Sequence, residues 1–127
     1  MATLEKVMVE ILEDVDTFTQ EVSLELFEEI VQRTPVDNGF AKGNWNMSVG
    51  NNDFTEQTVD PDGSRTINRA RSVARNIEGG DKVFISNGVD YVFWLENGTS
   101  QQAPQGMANP ASAKAQSIAD SVARRLR

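Results

Sequence analysis

Residues 83–107, Val83-Phe84-Ile85-Ser86-Asn87-Gly88-Val89-Asp90-Tyr91-Val92-Phe93-Trp94-Leu95-Glu96-Asn97-Gly98-Thr99-Ser100-Gln101-Gln102-Ala103-Pro104-Gln105-Gly106-Met107, hold the chain's densest apolar and turn signals. Val83, Phe84 and Ile85 are β-branched and aromatic, the composition of a buried strand. Ser86-Asn87-Gly88 stops that strand, because Asn and Gly enter turn conformations at little cost. Asp90 is placed to cap a short helix over Tyr91–Glu96, which Asn97-Gly98 then ends. A polar loop follows, and Met107 reopens apolar sequence.

Working outward, residues 3–32 read as one long helix. Apolar residues recur in steps of three and four at Leu4, Val7, Met8, Ile11, Leu12, Val15, Phe18, Val22, Leu26 and Ile30, which puts one stripe on one side. Thr3 is placed to cap it, and Pro35 ends it by disfavouring helical geometry in the residue before. Pro35 to Gly39 form a turn, with Asp37 able to bond nearby backbone amides. Phe40 and Ala41 lead into a strand over Asn44–Val49, where Trp45, Met47 and Val49 alternate with Asn46 and Ser48 as in a half-buried strand.

Residues 50–65 are polar and long for a loop in a small domain, with room for a hairpin strand around Phe54–Val59. Phe54 is an aromatic among polar residues, either tucked under this loop or presented to a partner. Residues 66–78 suit a helix with Ile67, Ala70, Val73, Ala74 and Ile77 on one face and Arg65, Arg69, Arg71 and Arg75 on much of the rest. A last helix runs over about Ala111–Arg125, with Pro110 near its first turn and Ile118, Val122 and Leu126 on one stripe. Arg124, Arg125 and Arg127 sit at its end, where the helix dipole favours cations. The sum is one α+β domain: a small antiparallel β-sheet flanked by a long N-terminal helix, a middle helix and a C-terminal helix. Its segments are an acidic amphipathic helix (1–33), a sheet-containing core (34–107) and the C-terminal helix (108–127).

Composition excludes much chemistry. The 127 residues contain no cysteine and no histidine, which removes disulfides, thiolate ligands, Ser-His-Asp or Cys-His catalysis and the commonest transition-metal ligand. No Gly-rich phosphate loop leads into a Lys-Ser/Thr helix. Asp60-Pro61-Asp62-Gly63 lacks the remaining oxygen ligands of a calcium loop. No cofactor is expected. Carboxylates alone are the basis of glycosidases, with Glu78 and Glu96 as the formal pair, but Glu96 more naturally pairs with an arginine or accepts amides of the 98–100 loop. No secretory leader pattern and no apolar run near ~18 residues stands out, so neither secretion nor membrane spanning is expected.

The net charge of −7 belongs to one segment. Residues 1–33 hold nine acids against Lys6 and Arg33, while the other 94 residues hold ten acids and ten bases. An acidic segment does not grip nucleic acid, and the four arginines of 65–75 fall short of a nucleic-acid footprint. They suit carboxylates of the acidic helix, in the same or a neighbouring subunit. With so little sheet to cover the long helix, apolar surface is left for self-association.

Three blocks carry a resemblance. Ile85-Ser86-Asn87, Tyr91, Leu95-Glu96, Gly98, Ser100, Ala103-Pro104 and Gly106-Met107 form the first. Thr34-Pro35-Val36-Asp37-Asn38-Gly39 with Gly43-Asn44-Trp45 form the second, and Gly63-Ser64-Arg65-Thr66-Ile67-Asn68-Arg69-Ala70 the third. In order and spacing they resemble the tail-completion, or neck, proteins of lambda-like tailed bacteriophages. The chain departs from that family after Met107, where Ala108-Asn109-Pro110 and a helix replace an apolar, strand-like continuation.

The resemblance implies a structural virion protein, assembled in the bacterial cytoplasm and not an enzyme. It would form a homo-oligomeric ring of six between the head-side connector and the tail tube or its terminator, with DNA passing through the lumen. Phe54, Arg69, Arg71, Arg75, Tyr91, Glu96, Thr99, Ser100, Gln101, Gln102 and Met107 would be subunit or partner contacts. Glu10, Asp14, Glu21, Glu25 and Glu28 would face the lumen, or else form a merely solvated face. The alternatives are a tail-tube terminator, a head-completion protein, or a carboxylate hydrolase of the phage lysis or entry apparatus.

Overall fold

The computed structural model describes the chain apart from residues 1–3, 37–38, 91, 98–102, 104–105 and 127; of residues 4–14, 93 and 94 it describes the backbone alone. The order of elements is α1 (Leu4–Arg33), α2 (Phe40–Gly43), β1 (Trp45–Val49), α3 (Ser64–Ala74), β2 (Val83–Asn87), α4 (Val92–Glu96), α5 (Ala108–Ala113) and α6 (Ala115–Arg125). The α+β class and the long N-terminal helix are as the sequence predicts.

At 30 residues, α1 is roughly 45 Å long at 1.5 Å per residue. Over residues 15–33 the buried stripe keeps Ile30 of the expected one but is rotated from the rest of it. Phe27, Ile30 and Val31 are buried, with Ser23 beside them, whereas Phe18, Val22 and Leu26 are only half-buried and Val15 is exposed. Phe27 and Val31 therefore centre the stripe, and the expected series runs along its flank. The helix ends at a buried lock. Thr34 Oγ1 donates to the Ile30 carbonyl at 2.8 Å and accepts from Trp45 Nε1 at 2.8 Å. This joins the helix end to the first residue of β1.

Phe40–Gly43 is a helical turn, not the expected lead into a strand. Gly39, at φ 83, opens it. A Cβ at Gly39 would lie 2.5 Å from Pro61 N, so glycine is needed both for the left-handed backbone and for the passage of the 60s segment. The two strands pair antiparallel in the register Trp45↔Asn87, Met47↔Ile85 and Val49↔Val83. Trp45 and Met47 join Phe27, Ile30, Val31, Ile67, Ala70, Ala74, Ile77 and Met107 in the core between the sheet and the helices.

The 83–87 strand is half-buried rather than buried, with only Ser86 fully enclosed. β1 is buried on both faces over its first three residues. The cause is the 50–60 segment, which holds no strand. It lies across the second face of the sheet, fastened by side chains. Asn46 Nδ2 donates to the Asp53 and Thr55 carbonyls at 3.2 and 2.9 Å. Asn44 Oδ1 accepts from Gln57 N at 2.7 Å, and Ser86 Oγ donates to Asn52 Oδ1 at 2.8 Å. Side-chain amides thus replace the ladder of a third strand. A two-stranded sheet is marginal alone; this one is covered on both faces.

α3 begins two residues before the expected start. Asp62 Oδ1 accepts from Ser64 N and Oγ at 2.9 and 2.8 Å, and Asp60 Oδ2 accepts from Thr66 N and Oγ1 at 2.8 and 2.7 Å. The helix also ends early, at Ala74, because the following chain is drawn onto α1. Gln20 Nε2 donates to the Ile77 carbonyl at 2.8 Å and Gly79 N donates to Asp16 Oδ1 at 2.6 Å. The expected single C-terminal helix is two helices, broken at Lys114. Its ammonium reaches Glu29 Oε1 at 3.0 Å.

Candidate functional site

Among the described residues, Glu21, Glu25, Glu28 and Glu29 of α1 are met by cations of this same chain. Arg71 pairs with Glu28 at 3.4 Å, Arg125 with Glu21 at 3.2 Å and also with Glu25, and Glu29 with both Arg33 and Lys114 at 2.7 and 3.0 Å. Hydrogen bonds from Lys114 and then Arg33 hold the Glu29 carboxyl below the ordinary range, and those that Arg125 donates to Glu25 and Glu21 raise its guanidinium. Arg125 therefore does more than complement a helix dipole; it ties α6 to α1. Glu21, Glu25 and Glu28, expected at a lumen or in solvent, are engaged within the protomer. The side chains of Glu10 and Asp14 lie outside the described residues.

The arginines of α3 divide. Arg71 meets the acidic helix as expected. Arg69 does not: its Nη2 donates to the Gly43 and Trp45 carbonyls, both at 3.0 Å. It occupies the start of β1's outer edge and is not a surface contact. Burial lowers its pKa, opposed by the charges of Asp60 and Asp53. Arg75 is exposed and makes no side-chain hydrogen bond or ion pair among the described residues. Beside it a cleft of about 220 Å³ between α1 and α3 is lined by Gln20, Glu21, Leu24, Arg71, Ala74 and Arg75.

Two more expected contact residues serve the chain's own fold, one buried and one half-buried. Met107 is fully buried in the core. Glu96 is occupied by the start of α5: Oε1 accepts from Met107 N and Ala108 N at 3.1 and 2.7 Å, and Oε2 from Asn109 N at 3.0 Å. The expected habit of Glu96, taking backbone amides, is seen nine residues further along the chain than anticipated, at 107–109 instead of 98–100. Gly106, at φ 84, makes room for it, since a Cβ there would collide with the Glu96 carbonyl and carboxylate. Tyr91, Thr99, Ser100, Gln101 and Gln102 lie outside the described residues, as do Asp37 and Asn38 of the predicted turn.

Phe54 stands at the surface, 61% exposed. Its backbone is seated on Gly88, where a Cβ would come within 3.0 Å of the Phe54 carbonyl. A groove of about 320 Å³ runs beside it, lined by Phe40, Asn44, Phe54, Glu56, Gly88, Val89 and Asp90. Sequence reasoning missed the acids Glu56 and Asp90 beside the ring. Glu56 lies two residues along the same extended segment, on the same side as Phe54, whereas Asp90 is brought near only by the loop-over-sheet packing. The alternation Asn44-Trp45-Asn46-Met47 was a usable signal for that packing: asparagines on a second face, followed by an extended polar run, can hold it down.

Among the described residues no three or more His, Cys, Asp or Glu side chains gather as a metal site. Among them, no helix is long and apolar enough to cross a membrane. The chain matches no protein-family model, and comparison with curated proteins and with solved structures finds no match.

Proposed function

We propose that this chain is a structural virion protein of a tailed bacteriophage, a subunit of the neck ring that completes the tail and joins it to the head-side connector. Its role is assembly and conduction rather than catalysis. Six copies form the ring; the tail tube or its terminator lies on one side and the connector on the other, and DNA passes through without sequence-specific contact. The protein belongs to the virion and assembles in the bacterial cytoplasm.

The observation that carries this reading is what the residues of the three resembling blocks do. Thr34 of one block bonds Trp45 of the same block. Thr66 is held by Asp60 at the start of α3, and Glu96 takes the amides at Met107 and Ala108. The first and second blocks thus close contacts between elements and the third starts a helix, which is what motifs that mark a scaffold would do. Glu96, the acid best placed for a hydrolase, has both oxygens occupied by backbone amides, so a catalytic reading has less to stand on. With Glu21, Glu25 and Glu28 engaged, Glu10 and Asp14 are the acids this proposal leaves for the lumen.

The test is the assembly phenotype of virions made without the protein. A neck protein predicts filled heads and finished tails that fail to join. Tails of uncontrolled length would instead mark a terminator, and heads that lose their DNA before any tail is met would mark a head-completion protein.

A further inference from the structure

Two surface patches of this chain complement each other and lie apart. The first is the Phe54 ring with Glu56 and Asp90, on the segment that covers the sheet face turned away from the core. The second is the cleft between α1 and α3, with Leu24 and Ala74 as its apolar lining and Arg71 and Arg75 among its polar residues. One is an aromatic knob with two carboxylates beside its groove; the other is a hollow whose Glu21 and Arg71 are already paired, with Arg125 and Glu28, and whose Arg75 is left open among the described residues.

We propose that these patches are the two halves of a head-to-tail contact between copies of this chain: the Phe54 ring of one copy enters the α1/α3 cleft of the next, and Glu56 faces Arg75. The inference rests on the ring reading above and assigns its seam. Three observations carry it.

Phe54 is presented by a fastened segment. Asn46 holds the carbonyls on either side of it, and Gly88 seats its backbone. A preorganised aromatic anchor loses little freedom on binding, and aromatic side chains set in pockets dominate interface energies.

Charge points to the same pairing. Most acids of the described residues are engaged by cations or amides; among the described residues Glu56, Asp90, Glu78, Lys82, Arg75 and Arg124 make no side-chain hydrogen bond or ion pair, and of these Glu56 and Asp90 line the groove and Arg75 the cleft. Arginine suits both groups of the knob, since its planar guanidinium stacks on aromatic faces and binds carboxylates through paired hydrogen bonds.

The last observation is placement. The two patches share no residue. A contact between unlike patches is heterologous, so each copy keeps one free knob and one free cleft, and repetition closes a ring when the rotation allows.

A charge exchange tests the contact, read by native mass spectrometry and sedimentation on the full chain. Glu56→Arg and Arg75→Glu each weaken association at least tenfold, and the doubly exchanged chain recovers it. Phe54→Ser, at a position where the ring is already in water, weakens association while the circular dichroism spectrum stays unchanged. A wild-type ring that all three single variants still form overturns this contact and leaves the neck reading standing. A double exchange no better than the single ones also overturns the pairing. A wild-type chain that stays monomeric at every concentration overturns the contact and the self-assembling ring together. A two-fold dimer sensitive to Phe54→Ser but indifferent to the charge exchange would place Phe54 against its own copy and overturn the proposal.

Discussion

Single residues close this fold. Thr34 is the clearest case, with one hydroxyl ending α1 and receiving the indole of β1. Thr34→Val keeps the volume but leaves a buried indole N–H without its acceptor, an expected loss of about 1–3 kcal/mol. In urea denaturation, Trp45→Phe added to Thr34→Val should cost less than it does alone, because the shared bond is already gone. Glu96→Gln is the second case. The anion accepts three backbone amides at the start of α5, whereas a carboxamide offers one oxygen and turns donors toward donors. The expected cost is again about 1–3 kcal/mol, with hydrogen exchange accelerating first in α5. The acceptor role of Glu96 was legible in sequence because its surroundings are apolar and turn-rich. Its donors were not, since only the folded chain brings residue 107 back to residue 96.

At the scale of elements, the segment over the sheet and the helix joint at Glu29 decide behaviour. Asn46→Ala removes the amide that holds both Asp53 and Thr55. The 50–60 segment should then be cut by protease at least tenfold faster, with α1 and α3 unaffected in hydrogen exchange. At the joint, Lys114 and Arg33 lower the Glu29 carboxyl. Because the folded-state value is the lower one, this contribution is fully present at neutral pH. It declines as the pH falls past the ordinary glutamate value of 4.5 and is lost below the depressed value. Glu29→Gln should therefore lower the melting temperature at pH 7 and flatten its decline between about pH 5 and pH 3. The helix positions were legible from apolar spacing and from Pro35. The stripe of α1 was misplaced because Phe27 and Val31 fall one step beside an equally regular series, and only packing against α3, α5 and α6 selects between them. The break at Lys114 left no mark in the apolar pattern.

The whole molecule is a helix-backed pair of strands whose second face is closed by a loop. Its acidic helix is tied down by arginines and a lysine of later elements. That arrangement leaves an aromatic knob on one side and an arginine-flanked cleft elsewhere, and these are the features through which a ring would form. The site was less legible than the fold. Phe54 and Arg75 stood out by residue type, Glu56 sits two residues from Phe54, and Asp90 and Leu24 join them only through tertiary placement; Met107 is a core residue, and the half-buried Glu96 and Arg69 bind backbone groups of this same chain. The central claim is that this chain assembles into a closed ring through which duplex DNA can pass. Native mass spectrometry across concentration, with electron micrographs of any oligomer, tests it most directly. The account predicts a single closed species of six subunits with a central hole wide enough for the duplex. A chain that remains monomeric at all concentrations and stays so when mixed with isolated tails would contradict it.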